Sequence, residues 1–405
     1  MSKASSFGSL KNETRPQPKK KDTQPQVVEI TSAIPETKRP YFANGRAFWN
    51  SLWIPSEDDA DAMELADEPF LTRVFCPILD IFIAWGVLAA FFIPTGWGPS
   101  DRYMTMINPG IIHTLVIVTG YRTGKTLYGF RGALTGAFVS LGLTSTLLIP
   151  GIFPTLVYAT LSVMVLRLID ICVDMTKVKS MLHPLLSETF MKTIFITVNV
   201  LLVLFAHMTG VDIMQWLVTG FGDITNELVV NSYTPLSALS IEPAKVLFAN
   251  NALNVGTLIP LGMSDLATDG KSSAFMLESN FGPGLGMLLA LMMVGPKCLR
   301  AGTVLAAILL FFGGIHEVYF PYVYINPLLI LVLIVSSFSG QIVFEAASLG
   351  YTGPASPASV FQIGSVVAEG DGLMTWIGIS ISVIMSFILT FVLYRRMNCR
   401  KLLPW

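Results

Sequence analysis

The chain has 405 residues, of which 52% are apolar and only 13% charged, and its mean hydropathy is +0.62. Soluble domains carry roughly 25% charged residues, so too few are present here to coat a 44.2 kDa globule. Disorder throughout is excluded and a soluble enzyme is disfavoured. A net charge of −1 gives no reason to expect nucleic acid as a partner. The composition is that of an integral membrane protein with many spans.

Composition changes sharply near Arg73. Residues 1–73 hold 10 of the 26 Lys and Arg and 11 of the 27 Asp and Glu. The first forty residues are rich in Pro, Lys, Thr and Ser, with a Lys19-Lys20-Lys21 run. Such a stretch cannot bury enough apolar area to offset its ordering entropy, so a disordered arm is expected. No apolar core of 7–15 residues follows Met1, so the arm does not read as a secretory signal peptide. Phe48, Trp49, Leu52 and Trp53 share one helical face within a helix expected near 46–54. That face suits either the bilayer interface or packing against the protein's own spans. Glu57, Asp58, Asp59 and Asp61 read as a solvated linker.

From Val74 onward, apolar stretches recur at about 74–94, 107–121, 132–149, 152–173, 190–208, 285–295, 301–315, 325–344 and 373–394. A span needs about 20 residues. Several stretches are shorter, and Gly- and Pro-rich segments separate them, which predicts broken or re-entrant elements shielded from lipid. The expected fold is an all-α polytopic membrane protein of eight to ten transmembrane helices. Arg122, Lys125 and Arg131 form one basic cluster, and Lys177, Lys179 and Lys192 another. The turns expected at 148–154 and 208–212 lack Lys and Arg. By the positive-inside rule the clusters are cytoplasmic, and so are the N-terminus and the 395–405 tail with Arg395, Arg396, Arg400 and Lys401.

Between 234 and 326 polar groups sit where the bilayer is expected. They include Glu242-Pro243-Ala244-Lys245, then Asn250, Asn251 and Asn254, then Glu278 and Asn280 before Gly282-Pro283-Gly284, then Gly313-Gly314-Ile315-His316-Glu317. A charge at the bilayer centre costs about 2.5–3.5 kcal/mol, so Glu242, Lys245 and Glu317 need partners or a wet cavity. Glu242 and Lys245, at i and i+3, could neutralise each other, whereas no cation neighbours Glu317. Carboxylates, amides and an imidazole bond hydroxyl groups directionally. Together they suit a neutral polyhydroxylated solute, with nearby Gly and Pro breaking the backbone around it. Neither a ring of acids nor a carbonyl filter is present, as a cation channel would require.

Other chemistries fall away. His316-Glu317 lacks a second His four residues after the first, where Phe320 stands, so it is not a zincin site. His113, His183 and His207 are isolated. Gly120-Tyr121-Arg122-Thr123-Gly124-Lys125-Thr126 has three residues between its glycines, not four, and follows an apolar span; a membrane turn with basic anchors explains it. Cys76, Cys172, Cys298 and Cys399 are widely spaced, which indicates neither zinc nor a redox pair. No cofactor or metal is implied.

Several of these segments resemble the membrane (IIC) component of the mannitol-type permeases of the bacterial phosphoenolpyruvate:sugar phosphotransferase system. The motifs are Phe82-Ile83-Ala84-Trp85-Gly86 and Phe92-Ile93-Pro94-Thr95-Gly96-Trp97; Glu242-Pro243-Ala244-Lys245-Val246-Leu247-Phe248 with Asn250-Asn251-Ala252; Gly270-Lys271-Ser272; Asn280-Phe281-Gly282-Pro283-Gly284; Gly313 through Val323; and Pro354-Ala355-Ser356-Pro357. The resemblance covers about 74–394. It implies a homodimer in the bacterial inner membrane that translocates a hexitol while a IIB protein phosphorylates it. The phosphoryl group would come from a phosphocysteine on IIB, supplied by a phosphohistidine on IIA. It implies substrate binding by Glu317, whose carboxylate would accept hydrogen bonds from hydroxyls and could help deprotonate the attacking one. His316, Glu242, Lys245, Asn250, Asn251, Asn254 and Asn280 are expected beside it. The chain itself is expected to supply positioning and no catalytic residue. It departs from the family at Val255, at Ile78-Leu79-Asp80 and around Phe153–Leu166. If Val255 faces the sugar, a His there would restore a family contact. The chain ends at Trp405 and its arm lacks cysteine, so IIB and IIA are expected as separate polypeptides. A facilitative carrier using Asp80 within the first span as an ion site, and a non-transporting sensor or scaffold, are the competing readings.

Overall fold

A computed structural model describes residues 68–94, 96–145, 151–176 and 178–401. The expected interfacial helix near 46–54, most of the 1–73 arm and the acidic linker lie outside the described residues. Helix α1 is Phe70–Phe92. Helix α2, Asp101–Pro109, runs through a π turn at Gly110–Thr114 into α3, Leu115–Thr144. Then come α4, Ile152–Met175, and α5, Pro184–Val230. Shorter pieces follow: α6, Ala238–Val246; α7, Asn250–Leu253; a π turn at Asn254–Leu258; α8, Ile259–Asp269; and α9, Ala274–Ser279. The remainder is α10, Gly282–Val294; α11, Lys297–Gly313; α12, Phe320–Ile325; α13, Leu329–Ala346; α14, Val360–Val366; and α15, Gly372–Lys401. Among the described residues the only β structure is two isolated bridges, Ser272 with Tyr351 and Tyr351 with Val367.

This is an all-α polytopic membrane protein. Six helical segments among the described residues are long and apolar enough to cross a bilayer: Phe70–Phe92, Ile152–Met175, Pro184–Val230, Ala274–Val294, Leu329–Ala346 and Gly372–Met397. Leu299–Gly313 is a shorter apolar helix. The expected eight to ten spans are thus reached only by counting broken elements as well.

One of these is α3. Its backbone leaves the helical region at Tyr128 and at Gly129, where φ is +56°. The two arms fold back on each other as a helical hairpin. Gly120 meets Gly136 and Gly124 meets Gly132 so closely that a Cβ at any of these four would strike the opposite backbone. Small residues four apart on both arms permit this approach, as in membrane helix pairs generally. The resemblance of 120–126 to a phosphate loop is therefore a packing seam followed by a turn. The turn is clamped from α4: Asp170 accepts from Tyr128 Oη at 2.8 Å and Arg131 Nη2 at 3.0 Å. Arg167 donates to the Leu127 carbonyl at 3.3 Å.

The turn expected at 208–212 is absent. Helix α5 continues through it for 47 residues, about 70 Å at 1.5 Å per residue. No proline interrupts it, and Gly210 serves contact rather than a turn: an added Cβ there would overlap Leu143. Tyr158 and Thr209 hydroxyls bond at 2.7 Å across the same contact. Of the two uncharged turns expected between the basic clusters, this one is continuous helix.

The second bundle packs α10, α11, α13 and α15. Gly282 and Gly286 on α10 lie against the Ile379 and Val383 carbonyls of α15. Its apolar core runs from Phe75 and Phe82 on α1 through Leu288 and Leu291 to Tyr319, Tyr322 and Leu333.

Gly124→Leu is expected to cost about 1–3 kcal/mol or more through overpacking of the hairpin. Gly220→Ala, where nothing lies within 4 Å of an added Cβ, is expected to be neutral or to gain up to about 1 kcal/mol of helix propensity. Unfolding midpoints in detergent check both.

Candidate functional site

Three breaks in helical backbone meet at one place. The first separates α6 from α7. Phe248 adopts a left-handed φ of +60° although it is not glycine. Its ring is buried edge-on against Phe320 at 4.9 Å, and Phe248 N–H and Ala249 N–H return to the Lys245 and Ala244 carbonyls at 2.8 Å each. A strained turn of this kind costs about 1–3 kcal/mol and is held here by aromatic packing. It delivers Asn250 and Asn251 at the start of α7.

The second break separates α9 from α10. Asn280 closes it: its Oδ1 accepts from Gly282 N–H at 2.9 Å and its Nδ2 donates to Ser382 Oγ at 3.1 Å. Glu278 lies in the last turn of α9. The third break follows α11. Gly314 has φ +70°, and an added Cβ would strike the backbone of Ala358 and Ser359. Ile315 is extended, a single 3₁₀ turn spans His316–Val318, and Pro321 opens α12. The Gly-Gly-Ile-His-Glu run is therefore a helix stop followed by a displayed His-Glu pair.

These breaks border a cavity of about 370 Å³, within the roughly 300–1,000 Å³ typical of small-ligand sites. Asn250, Asn251, Glu278, His316 and Glu317 form its polar wall. Trp85, Ile93, Pro94 and Ile107 form much of the apolar wall, and Ala355–Ala358 another side. Trp85 is fixed by donation to the Ile107 carbonyl at 2.9 Å. Asn250 Nδ2 donates to Glu317 Oε1 at 3.2 Å and to Glu278 Oε1 at 3.5 Å. Both carboxylates thus share one amide. Among the described residues, neither ring nitrogen of buried His316 has a partner and no Lys or Arg lines the cavity. Such a wall offers acceptors and one imidazole to a ligand rich in hydroxyl donors.

The sequence-predicted residues therefore divide. Glu317, His316, Asn250 and Asn251 line the cavity. Glu242 and Lys245 do not; both are fully buried and pair with each other at 3.1 Å. Asn280 is occupied in the α9–α10 joint, and Asn254, in the π turn, is not in the lining. Val255 is 69% exposed and also lies outside it, so the expectation that it faces the sugar does not hold. The π turn directs that side chain outward. Asp80 is exposed on α1 and is not in the lining. Sequence reasoning singles out Glu278 as a polar group at membrane depth without assigning it to the ligand, and misses Asn108, Trp85 and Ser356 as lining residues. Trp85 and Ser356 stood inside recognised motifs, and Glu278 precedes Asn280 by two residues.

Comparison with known proteins bears on what this cavity belongs to. The chain is 34% identical over 332 residues to the PTS system mannitol-specific EIICBA component of Escherichia coli K12, covering 82% of this chain and 51% of that protein. It is 35% identical over 302 residues to the component of the same name from Vibrio cholerae, covering 75% of this chain and 46% of that one. It is 32% identical over 327 residues to the mannitol-specific EIICB component of Bacillus subtilis 168, covering 80% and 67%. This chain belongs to the mannitol-type IIC family of the phosphotransferase system. It spans about half to two thirds of the length of these relatives. No family model matches the IIC chain, and no solved structure does.

Asn250→Leu leaves Glu278 and Glu317 without their shared donor while keeping the branched shape of the side chain. It is expected to lower stability by about 1–3 kcal/mol, the range for hydrogen bonds lost from charged groups, here two half-buried carboxylates. Asn250→Asp, which adds a third carboxylate, is expected to cost more. Unfolding midpoints of the purified chain measure both, and no change in either would show that the amide does not hold the acids.

Proposed function

We propose that this chain is the membrane-permease part of a mannitol-type phosphotransferase system, binding a hexitol and moving it across the bacterial inner membrane. The observation that carries the reading is the pair of carboxylates, Glu278 and Glu317, bridged by Asn250 on the wall of a cavity among membrane-embedded helices. An acyclic polyol presents hydroxyl donors along its length, and paired acceptors on one wall fix its orientation. The apolar wall with Trp85 opposes its carbon chain. Family membership supports the substrate class, since the relatives are named mannitol-specific.

In this reading Glu317 accepts from hydroxyls of the hexitol, Glu278 accepts from others, and Asn250 holds both acids in register. His316 supplies an unpartnered ring to the same wall. Asn251 extends it. The phosphoryl group arrives from a phosphocysteine of a IIB protein, itself charged by a phosphohistidine of IIA, both acting in trans. The IIC chain contributes geometry: a hydroxyl held in line with the donor reacts without a diffusional search. We place residues 74–394 as the permease domain, both termini on the cytoplasmic side, and two copies together as the working unit. The largely exposed apolar side chains of α5, among them Leu201, Leu204, Phe205 and Met208, leave ample surface for lipid or for a second copy.

Vesicles containing this chain, with purified IIB, IIA and phosphoenolpyruvate, test the reading. Accumulation of hexitol 1-phosphate is expected. Equilibration of free polyol without a donor would indicate a facilitative carrier, and no uptake a sensor or scaffold. Glu317→Ala is expected to abolish mannitol binding with folding intact, and unchanged affinity would refute its role. Val255→His is expected to leave affinity unchanged, because that side chain points away from the cavity. Calorimetry of mannitol binding reads both variants.

A further inference from the structure

We propose that Lys245 is a positioning residue that ties the end of α9, and with it Glu278, to the turn carrying Asn250, and that Glu242 is the counter-ion keeping this buried cation in place. The proposal rests on the hexitol-binding reading above, because Glu278 is positioned for that ligand.

Both partners of the Glu242–Lys245 pair are 0% exposed, their contact is 3.1 Å, and neither lines the cavity. A buried ion pair is weak evidence for stability, since desolvation of two charges offsets most of their attraction. Among the described residues this pair is also incompletely satisfied, because Glu242 Oε2 has no partner there. Its retention at membrane depth therefore calls for something beyond mutual neutralisation.

The second donation of Lys245 supplies it. Its Nζ reaches the Asn280 carbonyl at 3.4 Å. Asn280 is the residue that ends α9, where helix carbonyls lack intrahelical partners and carry the negative end of the dipole. A lysine at that point satisfies a carbonyl and opposes the dipole. The α9–α10 break resembles the discontinuous helices of transporters, whose half-helix ends meet at the binding site.

The backbone of the same lysine fixes the other arm. The Lys245 carbonyl accepts Phe248 N–H at 2.8 Å in the strained turn before Asn250. One residue therefore holds the Asn250 turn by its main chain and the Glu278 helix end by its side chain. Asn250 and Glu278 then meet across the cavity wall at 3.5 Å.

The test uses the full chain in membrane vesicles. Combining Lys245→Met with Glu242→Gln removes both charges, so no unpaired charge is left in the core. Normal accumulation of folded protein is expected, with mannitol affinity lowered at least about tenfold, in the range of close couplings. In a Glu278→Gln background the same two changes are expected to add little, because the lysine acts through that residue; fully additive losses would overturn the proposal. A second readout needs no sugar. With the four native cysteines replaced by serine, Glu278→Cys is labelled with a water-soluble methanethiosulfonate, and the neutral pair is expected to change the labelling rate several-fold. Lys245→Arg keeps the cation and a donor for the Asn280 carbonyl and is expected to preserve the wild-type rate. Should the neutral pair not accumulate, Lys245→Gln, too short to reach that carbonyl, combined with the same Glu242→Gln, replaces it with the same expected shift. An unchanged rate in a folded neutral variant overturns the proposal whether or not mannitol binds. A changed rate in a chain that never binds mannitol overturns the hexitol reading and leaves the positioning role standing.

Discussion

A bilayer offers no water to backbone amides, so any break in a helix at membrane depth has to be closed by the protein itself. That constraint organises this molecule. The chain breaks at Phe248, at Asn280 and at Gly314, and each break is closed by a different device. Phe248 and Ala249 return their N–H groups to Lys245 and Ala244. Asn280 accepts the Gly282 N–H with its side-chain oxygen while its carbonyl receives Lys245. After Gly314 the chain resumes through a 3₁₀ turn in which Tyr319 N–H bonds the His316 carbonyl at 3.1 Å. Because helical pairing is suspended at these points, polar side chains there can serve a cavity.

The frame around the breaks is built on close approach. In membrane interiors helices gain little from hiding apolar surface, so association depends on packing and on polar contacts between small residues. The α3 hairpin closes on Gly120, Gly124, Gly132 and Gly136. The α10–α15 contact closes on Gly282 and Gly286, with Ser386 Oγ donating to the Pro283 carbonyl at 2.6 Å. These seams leave little room for adjustment, whereas α5 presents a long, largely exposed apolar face.

Much of this was legible from residue types. Low charge and long apolar runs gave the class, and Glu317 stood out because no cation accompanied it in the sequence. The Gly-Gly pair before His316 announced the helix stop. The i, i+3 spacing of Glu242 and Lys245 pointed to the mutual pairing that the structure contains, although the same residues were also expected at the ligand. What local sequence could not show was direction. Asn280 and Asn250 are the same residue type in similar surroundings, yet one is consumed in closing a helix break and the other faces the cavity. The 208–212 segment has the small and polar residues of a turn, but packing of Gly210 on Leu143 and of Thr209 on Tyr158 keeps it helical. Val255 follows Asn254 directly, and the π turn alone decides that it points outward.

The charge pattern of the cavity bears on how transport and phosphorylation fit together under the proposed function. A neutral hexitol meets two carboxylates as a donor of hydrogen bonds, and binding needs no compensating ion. Once phosphorylated, the same molecule carries about −1.5 to −2 charges at neutral pH, as phosphate monoesters generally do. It would then face Glu278 and Glu317 with no Lys or Arg among the described lining residues to receive it. Like charges brought together in a site of low dielectric repel far more strongly than in water. Under that function the wall that selects the substrate would reject the product. Lys245 is the nearest candidate to soften that repulsion, but it is behind the wall and already committed to Glu242 and to the end of α9. Phosphorylation at the mouth of such a cavity would favour release without any change in the cavity itself.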